Sequence, residues 1–220
     1  MSDFALYNYF RSSTSYRVRI AMHLKSLSFQ YHPVHLLNNG GEQHTAEYRQ
    51  LNAAGEVPTL VHGNFKVAQS MVICEYLDQI RNTPRLFPED VQKAASVRQF
   101  CENINCAHAL TNLKTMQYLE KNAGLSAEAR GAWLQHWGHQ NFAVIEKWIA
   151  QHGGTYCFGD EVTAADAFLL PLVFWAQRFH IGLENYPAVR RVVANCEKLE
   201  AFRKAHPYRQ VDTPPELKID

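Results

Sequence analysis

The chain has 220 residues, enough for one large domain or two small ones, and its 46% hydrophobic content can build a sizeable core. Lys and Arg number 22 against 21 Asp and Glu, a near-neutral balance that provides no field to gather nucleic acid or an anionic membrane surface. A small-molecule ligand is the expected partner.

The opening "MSDFALYN" lacks the charged start, apolar stretch and small-residue cleavage site of a signal peptide, so a cytoplasmic location is expected. "FALYNYF" reads as a strand and residues 15–24 as a helix. "FQYHPVHLL" and "VPTLVHGNFKVAQ" are β-rich, and "SMVICEYLDQI" is helical. Gly63 and Asn64 form a two-residue hairpin turn, which makes the strands on either side antiparallel. The order βαβ, hairpin, helix predicts a small mixed sheet over residues 1–82. "RNTPRLFPED" breaks the periodicity, and residues 83–90 read as a linker.

Residues 91–220 read as an all-α domain. Val97, Phe100, Cys101 and Ile104 recur at helical spacing, as do Trp133, Trp137, Val144, Ile145 and Trp148. The run "AFLLPLVFWA", residues 167–176, is too short for a bilayer core that needs about 20 residues, so it reads as a buried helix. Ahead of it, Thr163 and Asp166 have the spacing of a capping box, a structural role.

Five cysteines, Cys74, Cys101, Cys106, Cys157 and Cys196, show neither C-x-x-C nor zinc spacing, and the histidines form no H-E-x-x-H pattern. Reduced, mostly buried thiols and no metal are expected.

Chemistry concentrates in "YFRSSTSYRVRI". Ser12, Ser13, Thr14 and Ser15 stand where the first helix begins, and one hydroxyl suffices as its N-cap. Four exceed that need, and the positive helix end suits a thiolate or carboxylate, so the turn reads equally as a cap and as an anion site. Val57 precedes Pro58 at a strand start, where a cis peptide is possible. Gln69 and Ser70 open another helix whose amides can face a carboxylate.

Taken together, these stretches resemble a cytosolic glutathione transferase. "SSTSYRVRIAMHLKSL", "GGEQ", "TPRLFP" and "HPYRQVDTPPELK" are similar to the zeta class, whose members include maleylacetoacetate isomerases. The resemblance spans nearly the whole chain. It implies an α/β thioredoxin-like N-terminal domain, an all-α C-terminal domain, a homodimer, and glutathione as the cofactor. It implies that Val57, before a cis Pro58, pairs its backbone with the cysteinyl part of glutathione. Gln69 and Ser70 hold the γ-glutamyl end, and Gln43 reaches the glycyl part. Ser12 becomes the activating hydroxyl beside the sulfur, with Ser13 and Thr14 close by. Thr14 stands where many zeta-class chains carry a cysteine.

Lowering a thiol pKa from about 8.5 by about two units takes roughly 2.7 kcal/mol. A hydrogen bond to a charged acceptor contributes about 1.5–3 kcal/mol and a helix N-terminus about 0.3–2 kcal/mol, so Ser12 and its helix can suffice.

The implied reaction is cis–trans isomerisation of maleylacetoacetate in tyrosine breakdown. Thiolate addition turns the double bond into a single bond that rotates, and elimination returns the thiol. A diacid substrate calls for cations. The resemblance assigns Arg178 to a carboxylate, against the alternative of a surface salt bridge; Arg11 stays open between the two. Arg17 and Arg19, on the helix, are expected in structural or interface ion pairs. His108 and Asn112, four residues apart, are expected to face one way from a single helix, either as a core network or as residues lining the glutathione and substrate site. His23, His35 and His139 receive no role. Competing readings are a maleylpyruvate isomerase, a transferase conjugating α-halo acids or reducing hydroperoxides, and a non-catalytic binding protein of the same fold.

Overall fold

The computed structural model describes residues 3–219. Its chain packs into two units. One comprises residues 1–86 together with 197–220, the other residues 87–196.

The first unit is built on β1 (Phe4–Asn8), β2 (Gln30–Pro33), β3 (Thr59–His62) and β4 (Phe65–Ala68). They form one mixed sheet in the order β2-β1-β3-β4, with β1 parallel to β2 and antiparallel to β3. The β3–β4 hairpin turns at Gly63 and Asn64, where Gly63 takes φ 57, the left-handed conformation a tight turn favours in glycine. Helix α1 (Ser13–Leu24) connects β1 to β2, α2 (Ala46–Leu51) lies between β2 and β3, α3 (Ser70–Ile80) follows β4, and α1 packs on α3. β1 ends two residues earlier than its apolar run suggests. Tyr9 and Phe10 turn instead into a buried cluster with Val34, Tyr48 and Val57.

Lys25, at the end of α1, is fully buried and ion-paired to Asp78 of α3, and it also donates to the carbonyls of Arg81 and Pro84. Asp78 in turn accepts the Leu86 amide at 2.7 Å. A charge removed from water this completely persists only with such a full set of partners. The expected linker therefore begins as an anchored segment, with Leu86 and Phe87 both buried.

The second unit contains α4 (Val91–Thr111), α5 (Leu113–Lys121), α6 (Ala127–His152), α7 (Ala164–Arg178) and α8 (Pro187–Cys196). Helix α4 packs on α6 and α7, and α8 closes against both of them. Every residue of α7 from Ala164 to Ala176 is buried, the pattern of a helix with no solvent face. The capping box of Thr163 and Asp166 forms at its start. The Asp166 carboxylate accepts from the Thr163 amide at 2.8 Å, the Thr163 hydroxyl at 3.2 Å and the Cys157 amide at 2.8 Å.

The all-α stretch does not run as one body to the C-terminus. Helix α9 (Glu200–Ala205) packs on α1 and belongs to the first unit with the residues after it. Helical periodicity marks α9 as a helix but carries no information about which core it joins. Among the described residues, no helix is long and apolar enough to cross a membrane.

Candidate active site

Ser12 is the N-cap of α1 and accepts the Ser15 amide at 3.2 Å. Its Oγ also lies 2.9 Å from Thr14 Oγ1, and Thr14 Oγ1 donates to the Val57 carbonyl at 2.9 Å. Because Thr14 has a single hydroxyl proton, already given to Val57, Ser12 is the donor to Thr14. A hydrogen-bonded chain thus runs from Ser12 through Thr14 to Val57. Ser13, the first residue of the helix, is buried, and so is Ser15, whose hydroxyl accepts the Tyr9 amide at 3.4 Å. The hydroxyl turn therefore caps its helix and also reaches beyond it. Ser12 and Ser15 hold backbone amides, while Thr14 links the turn to the neighbouring loop.

That loop contains the cis Val57–Pro58 peptide. It is braced from behind: the Glu56 carbonyl accepts from the Tyr48 hydroxyl at 2.7 Å and from Asn52 Nδ2 at 2.8 Å. Burial pushes the Tyr48 phenol up to about 12, so it acts as a structural donor.

Gln69 takes φ 70 as N-cap of α3, a left-handed conformation that is strained for a residue with a Cβ. Ser70 is buried, and its hydroxyl accepts from Arg17 Nη1 at 3.2 Å. The buried Arg17 guanidinium thus adds positive charge at the N-terminus of an eleven-residue helix, where an anion is favoured. Of the structural and interface roles expected for Arg17, its burial against Ser70 is a structural one. Arg19 is structural too, but through hydrogen bonds to neutral acceptors: it is fully buried and donates to the Asn8 side chain and to the Tyr9, Phe10 and Ala205 carbonyls.

Gln43 is buried in the loop before α2, and a Cβ at Gly41 would collide with its carboxamide. Its Nε2 lies 3.3 Å from the Leu36 carbonyl and 3.1 Å from His44 Nε2, while its Oε1 has no hydrogen-bond partner among the described residues. The unmatched atom is an acceptor, which suits a peptide N–H of a ligand better than a carboxylate. Turning the amide over would bring Oε1 against the Leu36 carbonyl. Arg11 is half-buried, with its guanidinium 5.7 Å from the centre of the Phe10 ring.

In the second unit, Arg178 closes α7, half-buried, with its guanidinium 5.3 Å from the centre of the Phe179 ring. The helix stops there because the Ile181 amide returns to the Ala176 carbonyl and His180 takes φ 53. His108 is half-buried on α4, but Asn112 does not share its helix face. Asn112 is extended (φ −72, ψ 168) and caps α5, accepting the Thr115 amide at 2.9 Å. Two carbonyls near the break, those of Ala109 and Leu110, are taken by the Thr115 hydroxyl at 2.7 Å and the Trp133 indole at 2.8 Å. The four-residue spacing assumed a continuous helix. Asn is a strong N-cap and ends it.

Four cysteines are buried and Cys106 is exposed, and none of the five is in a disulfide. Burial raises the Cys74 thiol to about 12 and Cys157 well above its ordinary value, so neither serves as a nucleophile. Among the described residues no group of three or more His, Cys, Asp or Glu is placed to hold a metal ion.

Residues 2–79 match the glutathione S-transferase N-terminal domain, and residues 139–200 match the glutathione S-transferase C-terminal domain. The chain belongs to the glutathione S-transferase family. A probable maleylacetoacetate isomerase 2 of Drosophila melanogaster is 41% identical over 212 residues, spanning 96% of this chain and 91% of the relative. The structure of a bacterial zeta-class maleyl pyruvate isomerase superposes with a TM-score of 0.92 at 37% identity, over 96% of this chain and 100% of that one. A maleylacetoacetate isomerase from Anaeromyxobacter dehalogenans 2CP-1, with GSH bound in its active site, superposes with a TM-score of 0.85 at 34% identity, over 96% of this chain and 98% of that one. The zeta class that the sequence resembles is the class of that maleyl pyruvate isomerase structure.

Proposed function

We propose that this protein is a glutathione-dependent cis–trans isomerase of a maleyl-type diacid, with maleylacetoacetate as its substrate. The observation that carries this reading is the hydroxyl turn: Ser12 caps α1 and is tied through Thr14 to the Val57 carbonyl, beside a cis-proline. Relatives of this length named maleylacetoacetate isomerase, one of them holding GSH, support it.

When bound, glutathione supplies a thiol that adds reversibly to the double bond and frees it to rotate. The protein's task is to keep that sulfur ionised and in place. Ser12 does so by turning its hydroxyl proton from Thr14 toward the sulfur, assisted by the N-terminus of α1. Ser13, one residue on, presents a backbone amide at the same helix end. The Val57 backbone orients the cysteinyl part, and Pro58 fixes the direction in which that backbone faces. The N-terminus of α3, at Gln69 and Ser70 with Arg17 behind, takes the γ-glutamyl carboxylate. Gln43 meets the glycyl end, through the peptide N–H that its free Oε1 suits. Arg178 holds a substrate carboxylate. Arg11 and His108 serve as further polar contacts, and Asn112 contributes through the backbone break it makes.

A second reading, maleylpyruvate as substrate, is favoured by the similarity to the maleyl pyruvate isomerase structure. The deciding experiment follows the loss of maleylacetoacetate and of maleylpyruvate, each with and without glutathione. Turnover of the first that requires glutathione is expected. Turnover of the second alone selects the second reading, and turnover of neither overturns both. We further infer a cytoplasmic homodimer, as in the resembling family; sedimentation at twice the monomer mass is expected.

A further inference from the structure

The hydroxyl turn is held from outside its own stretch of sequence. The backbone of Phe10, two residues before Ser12, is gripped on both sides by charged groups. Its N–H donates to Asp212 Oδ2 at 2.9 Å, and its carbonyl accepts from Arg19 Nη2 at 2.8 Å. The Tyr9 carbonyl, which accepts the Ser12 amide at 3.1 Å, also receives Arg19 Nη1 at 3.3 Å. The backbone that sets the direction of Ser12 is thereby fixed by one cation from α1 and one anion lying 202 residues away in sequence.

Asp212 is itself fixed. Its other oxygen accepts from the Tyr31 hydroxyl on β2, the strand paired in parallel with β1. The segment around it is braced internally: Thr213 donates its hydroxyl to the Pro207 carbonyl at 2.7 Å, and Gln210 Nε2 donates to the carbonyls of Lys204 and His206 at 2.9 and 2.8 Å. From the same segment, Tyr208 and Leu217 pack against the cluster containing Tyr9, Phe10 and Val57. The Arg19 Nε, finally, donates to the Ala205 carbonyl at 3.1 Å, which ties the turn to the end of α9.

We propose that Asp212 is a positioning residue for the reaction, and that the C-terminal segment forms part of the machinery that aims Ser12 at the glutathione sulfur. It touches neither glutathione nor substrate and acts through the Phe10 peptide. This rests on the reading of Ser12 as the activating hydroxyl. A hydrogen bond to a carboxylate is strong and directional, so its loss releases the Phe10 peptide while the sheet and helices stay paired.

The test compares Asp212→Ala, Asp212→Asn and Ser12→Ala in the full chain. Its readout is the pH titration of bound glutathione by thiolate ultraviolet absorbance, at a temperature well below each variant's unfolding. Asp212→Ala is expected to move the bound-thiol titration up by about one pH unit, a tenfold loss of thiolate at fixed pH below it. Asp212→Asn keeps an acceptor for the Phe10 N–H and an amide for Tyr31, and is expected to titrate like the parent. An unshifted titration in Asp212→Ala, with Ser12→Ala shifted, overturns the proposal and reduces Asp212 to a structural contact. Asp212→Asn shifting as far as Asp212→Ala also overturns it, because charge rather than placement would then be at work. If Ser12→Ala leaves the titration unmoved, the Ser12 reading falls and this proposal falls with it.

Discussion

Thr14 Oγ1 donates to the Val57 carbonyl at 2.9 Å, joining the start of α1 to the residue before the cis-proline across 43 positions of sequence. The same oxygen lies 2.9 Å from Ser12 Oγ and determines where the serine proton points. Thr14→Val keeps the shape and removes the link. A neutral hydrogen bond contributes about 0.5–1.5 kcal/mol, so glutathione affinity is expected to fall roughly 2- to 10-fold. Thr14→Ser is expected to restore it. Thr14→Cys, a weak donor, is expected to fall between them, as read by calorimetric titration with glutathione.

On the proposed reading Ser12 has two jobs that different measurements separate. As the cap of α1, its loss in Ser12→Ala costs about 1 kcal/mol of stability, seen in denaturant unfolding. As a donor to a thiolate, its loss costs about 1.5–3 kcal/mol, a roughly 10- to 100-fold drop in kcat/KM with the pH profile displaced upward. A clearly larger loss in Ser12→Ala than in Ser12→Gly, with the profile unmoved, would point to capping alone.

Arg178→Ala is expected to raise KM for the diacid roughly 10- to 100-fold and to leave KM for glutathione within about twofold, since a paired guanidinium–carboxylate contact is worth about 1.5–3 kcal/mol. Arg178→Lys should recover only part of this, because a point charge lacks the planar fork. Steady-state kinetics in both substrates decide the matter.

Lys25 and Asp78 form a buried pair whose members depend on each other. Asp78→Ala strands a lysine ammonium away from water and is expected to destabilise the fold by about 3–5 kcal/mol. Adding Lys25→Met should recover part of the loss, because it removes the stranded charge. Chemical denaturation of the two variants tests the order.

The His206 imidazole is lowered to about 4 from its ordinary 6.5, first by burial and then by the nearby Arg209 and Arg19. The folded protein resists protonation there while the unfolded chain takes up the proton. Stability from this group is therefore complete above pH 6.5 and is lost as the pH falls from 6.5 toward 4. His206→Asn, which can still cap the Tyr208 amide, is expected to flatten the fall of Tm over that window. The lowered His23 acts in the same direction and leaves a residual slope.

Local chemistry made much of this protein legible in its sequence. Alternation and a Gly-Asn turn located β3 and β4, a capping box located the start of α7, and a run of hydroxyls located the N-cap of α1 at Ser12. Each of these signals lies within a few residues, where sterics and hydrogen bonding act without help from the rest of the chain. What pairs distant segments was not legible. Arg17 and Arg19 look like any helical arginines until α3 and the C-terminal segment arrive beside them. Asn112 looks like the next helical position after His108 until Trp133 and Thr115 take the carbonyls that its break exposes. The allegiance of residues 197–220 to the first unit, and with it the grip of Asp212 on Phe10, rests on contacts between groups 202 positions apart. Periodicity carries no record of such contacts. Only the closed tertiary structure brings a buried guanidinium, a carboxylate and the hydroxyl turn within hydrogen-bond reach.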